Sequence, residues 1–265
     1  MSQKLKVVYF VEPDAAMLAE RAARQFVEST ERAVAKRGRA RIAVSGGSTP
    51  KAAFGLLADA ARLWCGRMPW RRIELWWVDE RCVAPDDAES NYRMTREALL
   101  DHVPLTPEQI HRMEGELEPE TGAARYEAEL RDEFRLEGAE LPRFDVVALG
   151  MGPDGHTASL FPQTAALHET ARLAVANFVP QKQSWRMTLT WPVINSAAEV
   201  FFLIGGADKA QTVKEVWLGP RDAERLPSQL IMPVGGILTL LLDRAAAAFL
   251  PETNTEGYSF IERDE

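Results

Sequence analysis

The sequence predicts an α/β protein: a single open, mostly parallel sheet with helices on both faces. Three observations carry this. Phe144 to Leu149 and Val200 to Ile204 are apolar runs with little alternation, the pattern of a strand covered on both sides. Such runs alternate with amphipathic stretches of helical length along the chain, which favours βα units. Several runs end in glycines that lead into a helical stretch, as at Gly46-Gly47 and Gly205-Gly206. Glycine lets a backbone turn sharply there, at the strand ends where open parallel sheets bind ligands.

The chain has 265 residues, enough for one large domain with a substantial core. No linker rich in Gly, Ser or Pro and no repeat divides it, so residues 1–250 read as one domain and 251–265 as a polar tail. A composition of 46% hydrophobic and 26% charged residues is that of a globular protein. The net charge of -8 argues against a nucleic-acid binder but leaves room for a small anion held by local cations. No apolar run reaches the roughly 20 residues of a membrane span. The first residues meet an acid too early for a signal peptide. Cys65 and Cys82 lack CxxC spacing, so reduced thiols of a cytoplasmic protein are expected, not a zinc site.

In chain order, Lys4 to Val11 is strand-like. Asp14 caps a helix through about Lys36, and Gly38 ends it. Arg41 to Val44 is a short strand, followed by Ser45-Gly46-Gly47-Ser48-Thr49-Pro50. Thr49 is a good N-cap, Pro50 a favoured first residue, and the helix is expected over Lys51 to Leu63. Amides and hydroxyls at such a start form an anion site, although many strand-to-helix turns use Gly and Ser with no ligand. The spacing is not that of a Walker A loop.

Ile73 to Val78 is a third strand, ending in Asp79-Glu80-Arg81. That triplet reads either as a solvated turn or as acids orienting an arginine toward an anion. Ser90 or Asn91 caps a helix through about Leu100. A short strand at Ile110 to Met113 and a helix over Gly122 to Leu136 lead to the central strand. Leu173 to Phe178 and Arg186 to Trp191 are strand-like, and Pro192 to Ser196 is a short helix. After Val200 to Ile204 a helix runs through Trp217. Lys209 near its start is either a surface lysine or one facing an anion, because a helix N-terminus disfavours cations. Ser228 is a candidate cap, Ile237 to Leu242 a last strand and Asp243 to Leu250 a last helix. The tail shows no clear structural signal.

The central stretch, FDVVALGMGPDGHTASLFP from Phe144, sets Gly152, Asp154, Gly155 and His156 in one turn, with Thr157 able to open a helix. An acid and an imidazole there are either a packed loop and a cap or a pair for acid-base work.

The resemblance rests on six blocks in order: SGGSTPKAAFGLLA from Ser45, VDERCVAPDDAESNYRM from Val78, ALGMGPDGHTASLFP from Ala148, RMTLTWPVIN from Arg186, LIGGADKA from Leu203, and LPSQLI with LLDRAA downstream. Together they resemble the 6-phosphogluconolactonase family, in the larger group that includes glucosamine-6-phosphate deaminase. The resemblance implies a Rossmann-like sheet and hydrolysis of 6-phospho-D-glucono-1,5-lactone, a small-molecule substrate, with no nicotinamide cofactor and no required metal. It departs from the family at VPQKQSW, where several prolines and lysines are usual, so Lys182 receives no role. Deaminases carry a glutamate before the proline where this chain has Phe161, and phenylalanine relays no protons. No GxSxG elbow is present, so water is the expected nucleophile. His156, Asp154 and Arg81 are then the residues of the chemical step. Gly46, Gly47, Ser48, Thr49, Asp79, Gly152, Arg186 and Lys209 hold the sugar phosphate. A sugar-phosphate isomerase or a non-enzymatic sensor on the same fold are the competing readings. The oligomeric state has no signal in the sequence.

Overall fold

The apolar runs pair side by side as parallel strands. A computed structural model describes residues 4–62, 65–254 and 257–264. Its strands are β1 (Lys4–Glu12), β2 (Ala40–Val44), β3 (Ile73–Trp77), β4 (Asp79–Arg81), β5 (Ile110–His111), β6 (Val146–Gly150), β7 (Ala174–Val179), β8 (Ser184–Leu189), β9 (Glu199–Ile204), β10 (Ile237–Asp243) and β11 (Tyr258–Asp264). The α-helices are α1 (Ala15–Arg37), α2 (Ser48–Ala58), α3 (Asn91–Ala98), α4 (Pro119–Phe134), α5 (Trp191–Asn195) and α6 (Ala210–Leu218).

The main sheet has eight strands in the order β11-β1-β10-β9-β6-β2-β3-β5. All its pairings are parallel except β1 with β11. Every residue of β2 and β9 is buried, so both faces of the sheet are covered, as apolar runs without alternation require. The chain adds β3 and β5 on one side of β2, then returns to place β6 on the other side and continues outward through β9 and β10. The reversal falls between β2 and β6, where the crevice of an open α/β sheet opens. Trp76, Trp77, Phe26, Phe54, Phe201 and Phe202 fill the core.

Several elements follow their local signals. The Asp14 carboxylate accepts from the amides of Ala16 and Met17, and Gly38 at φ 77 closes α1. Other expectations fail for tertiary reasons. The helix after the first glycine pair starts at Ser48, with Gly47 as an N-cap that has no side chain to offer, so Thr49 is not the cap. Its expected end at Leu63 lies outside the described residues, and α2 itself stops at Ala58. No helix follows Thr157; Thr157 and Leu160 form a β-bridge across a turn in which Ala158 takes φ 49. The expected helix from Asp243 to Leu250 does not form: Asp243 ends β10, a run of turns follows over 244–249, and the Asp243 carboxylate accepts from the amides of Gly206 and Ala246. Ser228 caps nothing; its hydroxyl donates to the Gly155 carbonyl at 2.8 Å. The tail contributes β11, antiparallel to β1, and Phe260 there is half exposed. An edge strand with so little burial leaves a weak pattern in sequence.

A second sheet, absent from the sequence reading, has the order β4-β8-β7 and is antiparallel. Val78 joins the two sheets: its amide donates to Val44 at the end of β2, and its carbonyl accepts from Leu189. The small sheet thereby lies beside the carboxyl ends of the large one.

Candidate active site

The ends of β2, β6 and β9 and the starts of α2, α3 and α6 meet at the crevice between β2 and β6. A cleft of about 180 Å³ there is lined by Gly46, Gly47, Ser48, Thr49, Asp79, Arg81, Gly152, His156, Arg186 and Lys209 of the expected residues. Asp154 alone of the expected set does not line it and stands behind His156. The cleft also takes Ser45, Asn91, Gly150, Ala158 and Gly205, which the sequence reading did not place there.

The turn after β6 is locked by its own hydrogen bonds. The Gly152 amide donates to the His156 carbonyl at 2.9 Å and the Gly155 amide to Gly152 at 3.0 Å. Thr157 donates its hydroxyl to the Gly150 carbonyl at 2.8 Å. These bonds bring Asp154 Oδ1 to 2.5 Å from His156 Nδ1, although two residues separate them. A Cβ on Gly152 would lie 2.2 Å from the imidazole, so only glycine lets the ring occupy this place. Burial raises the Asp154 carboxyl, but the hydrogen bond and charge of His156 outweigh it and hold the group below its ordinary value. An ionised carboxylate only accepts, so Nδ1 is the ring nitrogen that donates to Asp154 and Nε2 is the one turned away from it.

The turn after β2 is built differently. Gly47 has φ 118 and ψ 167, a region essentially reserved for glycine. It leaves the first turn of α2 without a side-chain cap, so the Ser48 and Thr49 amides lack that partner. Amides in this state, aligned with the helix dipole, form an anion site.

The small sheet brings the cations. Arg81 and Arg186 are cross-strand partners in β4 and β8. Arg186 is 9% exposed, and its Nε has no hydrogen-bond partner, as is true of Arg81 Nε. Burial pushes the Arg186 guanidinium below its ordinary value, and the neighbouring Arg81 charge adds to this. Two adjacent guanidiniums with unmet donors favour an anionic ligand. Lys209 reaches the cleft from the start of α6, its Nζ 3.0 Å from the Gly205 carbonyl and 3.2 Å from Asp208. Lys182 is exposed at the β7–β8 turn and does not line the cleft.

The Asp79-Glu80-Arg81 triplet is not a solvated turn in its first two residues: Asp79 is 5% and Glu80 2% exposed. Glu80 accepts from the amides of Arg81, Asn91 and Tyr92 and from the Ser90 hydroxyl, which ties the start of α3 to the site. Burial raises its carboxyl despite those amides. Asp79 accepts from the Ser159 hydroxyl at 2.8 Å and from Asn91 Nδ2 at 3.3 Å. The Asn91 carboxamide packs on Gly46 and links the two turns. Cys82 is a free thiol pushed up to about 11 by burial and nearby acids; the side chain of Cys65 lies outside what the structure describes. Among the described residues no group of three or more His, Cys, Asp or Glu is placed to hold a metal, and no helix is long and apolar enough to cross a membrane.

Residues 13–240 match the family described as glucosamine-6-phosphate isomerases/6-phosphogluconolactonase. The chain belongs to that family. The 6-phosphogluconolactonase of Synechocystis sp. is 40% identical over 237 residues, which cover 89% of this chain and 95% of the relative. That of Nostoc sp. is 40% identical over 248 residues, covering 93% and 99%. The solved 6-phosphogluconolactonase from Trypanosoma cruzi superposes with a TM-score of 0.80 at 31% identity, covering 94% of this chain and 98% of that one. Within the family the chain is thus an enzyme of the 6-phosphogluconolactonase kind, a hydrolase of sugar metabolism with a Rossmann-like fold.

Proposed function

We propose that the chain hydrolyses 6-phospho-D-glucono-1,5-lactone to 6-phospho-D-gluconate, the second step of the oxidative pentose phosphate pathway, in the cytoplasm, with His156 as general base. One observation carries the mechanism: the His156–Asp154 contact stands on a cleft whose other walls supply two arginines, a lysine and an uncapped helix start.

Water is the nucleophile. His156 Nε2 removes its proton as the oxygen bonds to the lactone carbonyl carbon, and the carbonyl oxygen takes the negative charge. Asp154 stabilises the imidazolium through Nδ1–H. The turn amides of Gly152, Gly155 and His156 already have partners, which favours Arg81, whose Nε is unpartnered, as the donor to the oxyanion. Collapse breaks the bond from carbon to ring oxygen, and His156 returns its proton to that oxygen. The base is regenerated, and the product is one open-chain acid whose new carboxyl group loses its remaining proton to solvent, leaving the carboxylate. The 6-phosphate is held by the Ser48 and Thr49 amides and hydroxyls, with Arg186 and Lys209 adding charge.

Phe161 supports hydrolysis over the deaminase chemistry of the wider family. It is buried against His156, where a proton-relaying side chain would otherwise stand.

The test is acid release from freshly generated lactone, read against spontaneous opening. Wild type should be far above background, and His156→Ala should lose about 100- to 10,000-fold in kcat with binding of 6-phosphogluconate retained. Near-normal turnover in His156→Ala would move the base elsewhere. No rate above background, with ammonia released from glucosamine 6-phosphate, would replace the lactonase reading by the deaminase one.

A further inference from the structure

Phe161 takes no part in the proton transfers above, yet it is placed directly on the base. It is 1% exposed, and its ring lies parallel to the His156 imidazole, 3.9 Å between ring centres and 15° between planes. The bridge between Thr157 and Leu160 folds the chain back on itself, so residue 161 returns over residue 156. An imidazole turns about two side-chain torsions, and a single hydrogen bond at Nδ1 leaves it free to rock about that contact. A parallel ring at van der Waals distance on one face removes this freedom. Gly152 bounds the Nδ1–Cε1 edge.

We propose that Phe161 is a positioning residue for the hydrolysis: its face holds the His156 imidazole so that Nδ1 stays on Asp154 while Nε2 stays available as the base, and it thereby sets kcat. The inference rests on the reading of His156 as base. A phenyl ring has no ionisable group, so it acts through geometry alone. The Arg186 guanidinium carbon is 5.6 Å from the centre of the same ring. That is near the outer limit for a cation over an aromatic face, so the effect on phosphate binding is the lesser one.

The experiment compares Phe161→Leu, which removes the flat face, with Phe161→Tyr, which keeps it. In Phe161→Leu, kcat should fall about 10- to 100-fold, the loss expected when a reacting group shifts by about an ångström, with KM nearly unchanged. Phe161→Tyr should recover most of kcat. Nitrogen-15 spectra of His156 should show one tautomer, protonated at Nδ1, in the unsubstituted protein and a mixture in Phe161→Leu. A normal kcat in folded Phe161→Leu would overturn the inference. So would a rise in KM alone, which would assign the ring to Arg186. The unsubstituted spectrum does not depend on any variant folding, and a tautomer mixture there would also overturn it. An inactive His156→Ala beside a fully active Phe161→Leu removes this inference alone; an active His156→Ala removes the base assignment and this inference with it.

Discussion

The turns after β2 and β6 are neighbours, both rich in glycine, and they do opposite work. After β2 the glycines clear side chains away, and Gly47 leaves the start of α2 with backbone amides and no cap. After β6 the amides of Gly152, Gly155 and His156 are taken up inside the turn, and what reaches the cleft is a side chain, His156, braced by Asp154 and Phe161. Similar composition therefore yields a backbone site in one case and a side-chain site in the other. What separates them is where the amide hydrogen bonds go. A turn that satisfies its own amides becomes rigid and can aim a side chain; one that does not can bind an anion.

Substitutions that act on one turn and spare the other should break this division cleanly. The largest effect is expected for Asp154→Asn. A carboxamide can donate to Nδ1, which favours the tautomer with the proton on Nε2, and that nitrogen then cannot accept one. The loss in kcat should approach that of His156→Ala, about 100-fold or more, with KM little changed. Steady-state kinetics would show it.

Gly47→Ala tests the other turn. A side chain at φ 118 costs about 1–3 kcal/mol in the backbone. We expect KM to rise about tenfold, kcat to be largely kept and the melting temperature to fall. A fall in kcat with unchanged KM would show that the β2 turn belongs to the chemical step. Ser48→Ala should be milder, because one hydrogen bond contributes about 0.5–1.5 kcal/mol. Its signature is a KM several-fold higher with kcat intact, the mark of lost uniform binding.

The smallest effect is on stability. The native Asp154 carboxyl lies below its ordinary value, so its contribution is fully present above the unfolded pKa and is lost as pH falls through the native one. The side chain is 40% exposed, so solvent screens the interaction and the contribution is small. Urea midpoints of wild type and Asp154→Asn should differ slightly at neutral pH and converge in acid.

The sequence made the parallel strands legible because burial on both faces writes itself as unbroken apolar runs, as in Val200 to Ile204. It marked Asp14 and Gly38 because caps are local. Ser228 misled because it looks like a local cap and is drawn instead to a partner distant in sequence, the Gly155 carbonyl; Asp243 does take the local Ala246 amide, but it also holds the distant Gly206 amide and no helix follows. Asn91 could be found only as a candidate helix cap, since nothing local shows that its carboxamide reaches Asp79 and packs on Gly46. Phe161 was visible as a residue that cannot relay protons, while its stacking on His156 depends on the turn between them, closed by the Thr157–Leu160 bridge.

By itself, then, the sequence determined the α/β class, the order of the strands' apolar runs and the residue types gathered at their ends, because these rest on periodicity and on chemistry carried by single residues. Tertiary structure alone decided that the chain reverses between β2 and β6, and that β4 and β8 leave the main sheet to bring Arg81 and Arg186 side by side. It also decided that Asp154 stands behind His156 and not in the cleft. Each of these depends on contacts between residues remote in sequence, or on how a turn distributes its amide hydrogen bonds, and neither is written in any local pattern.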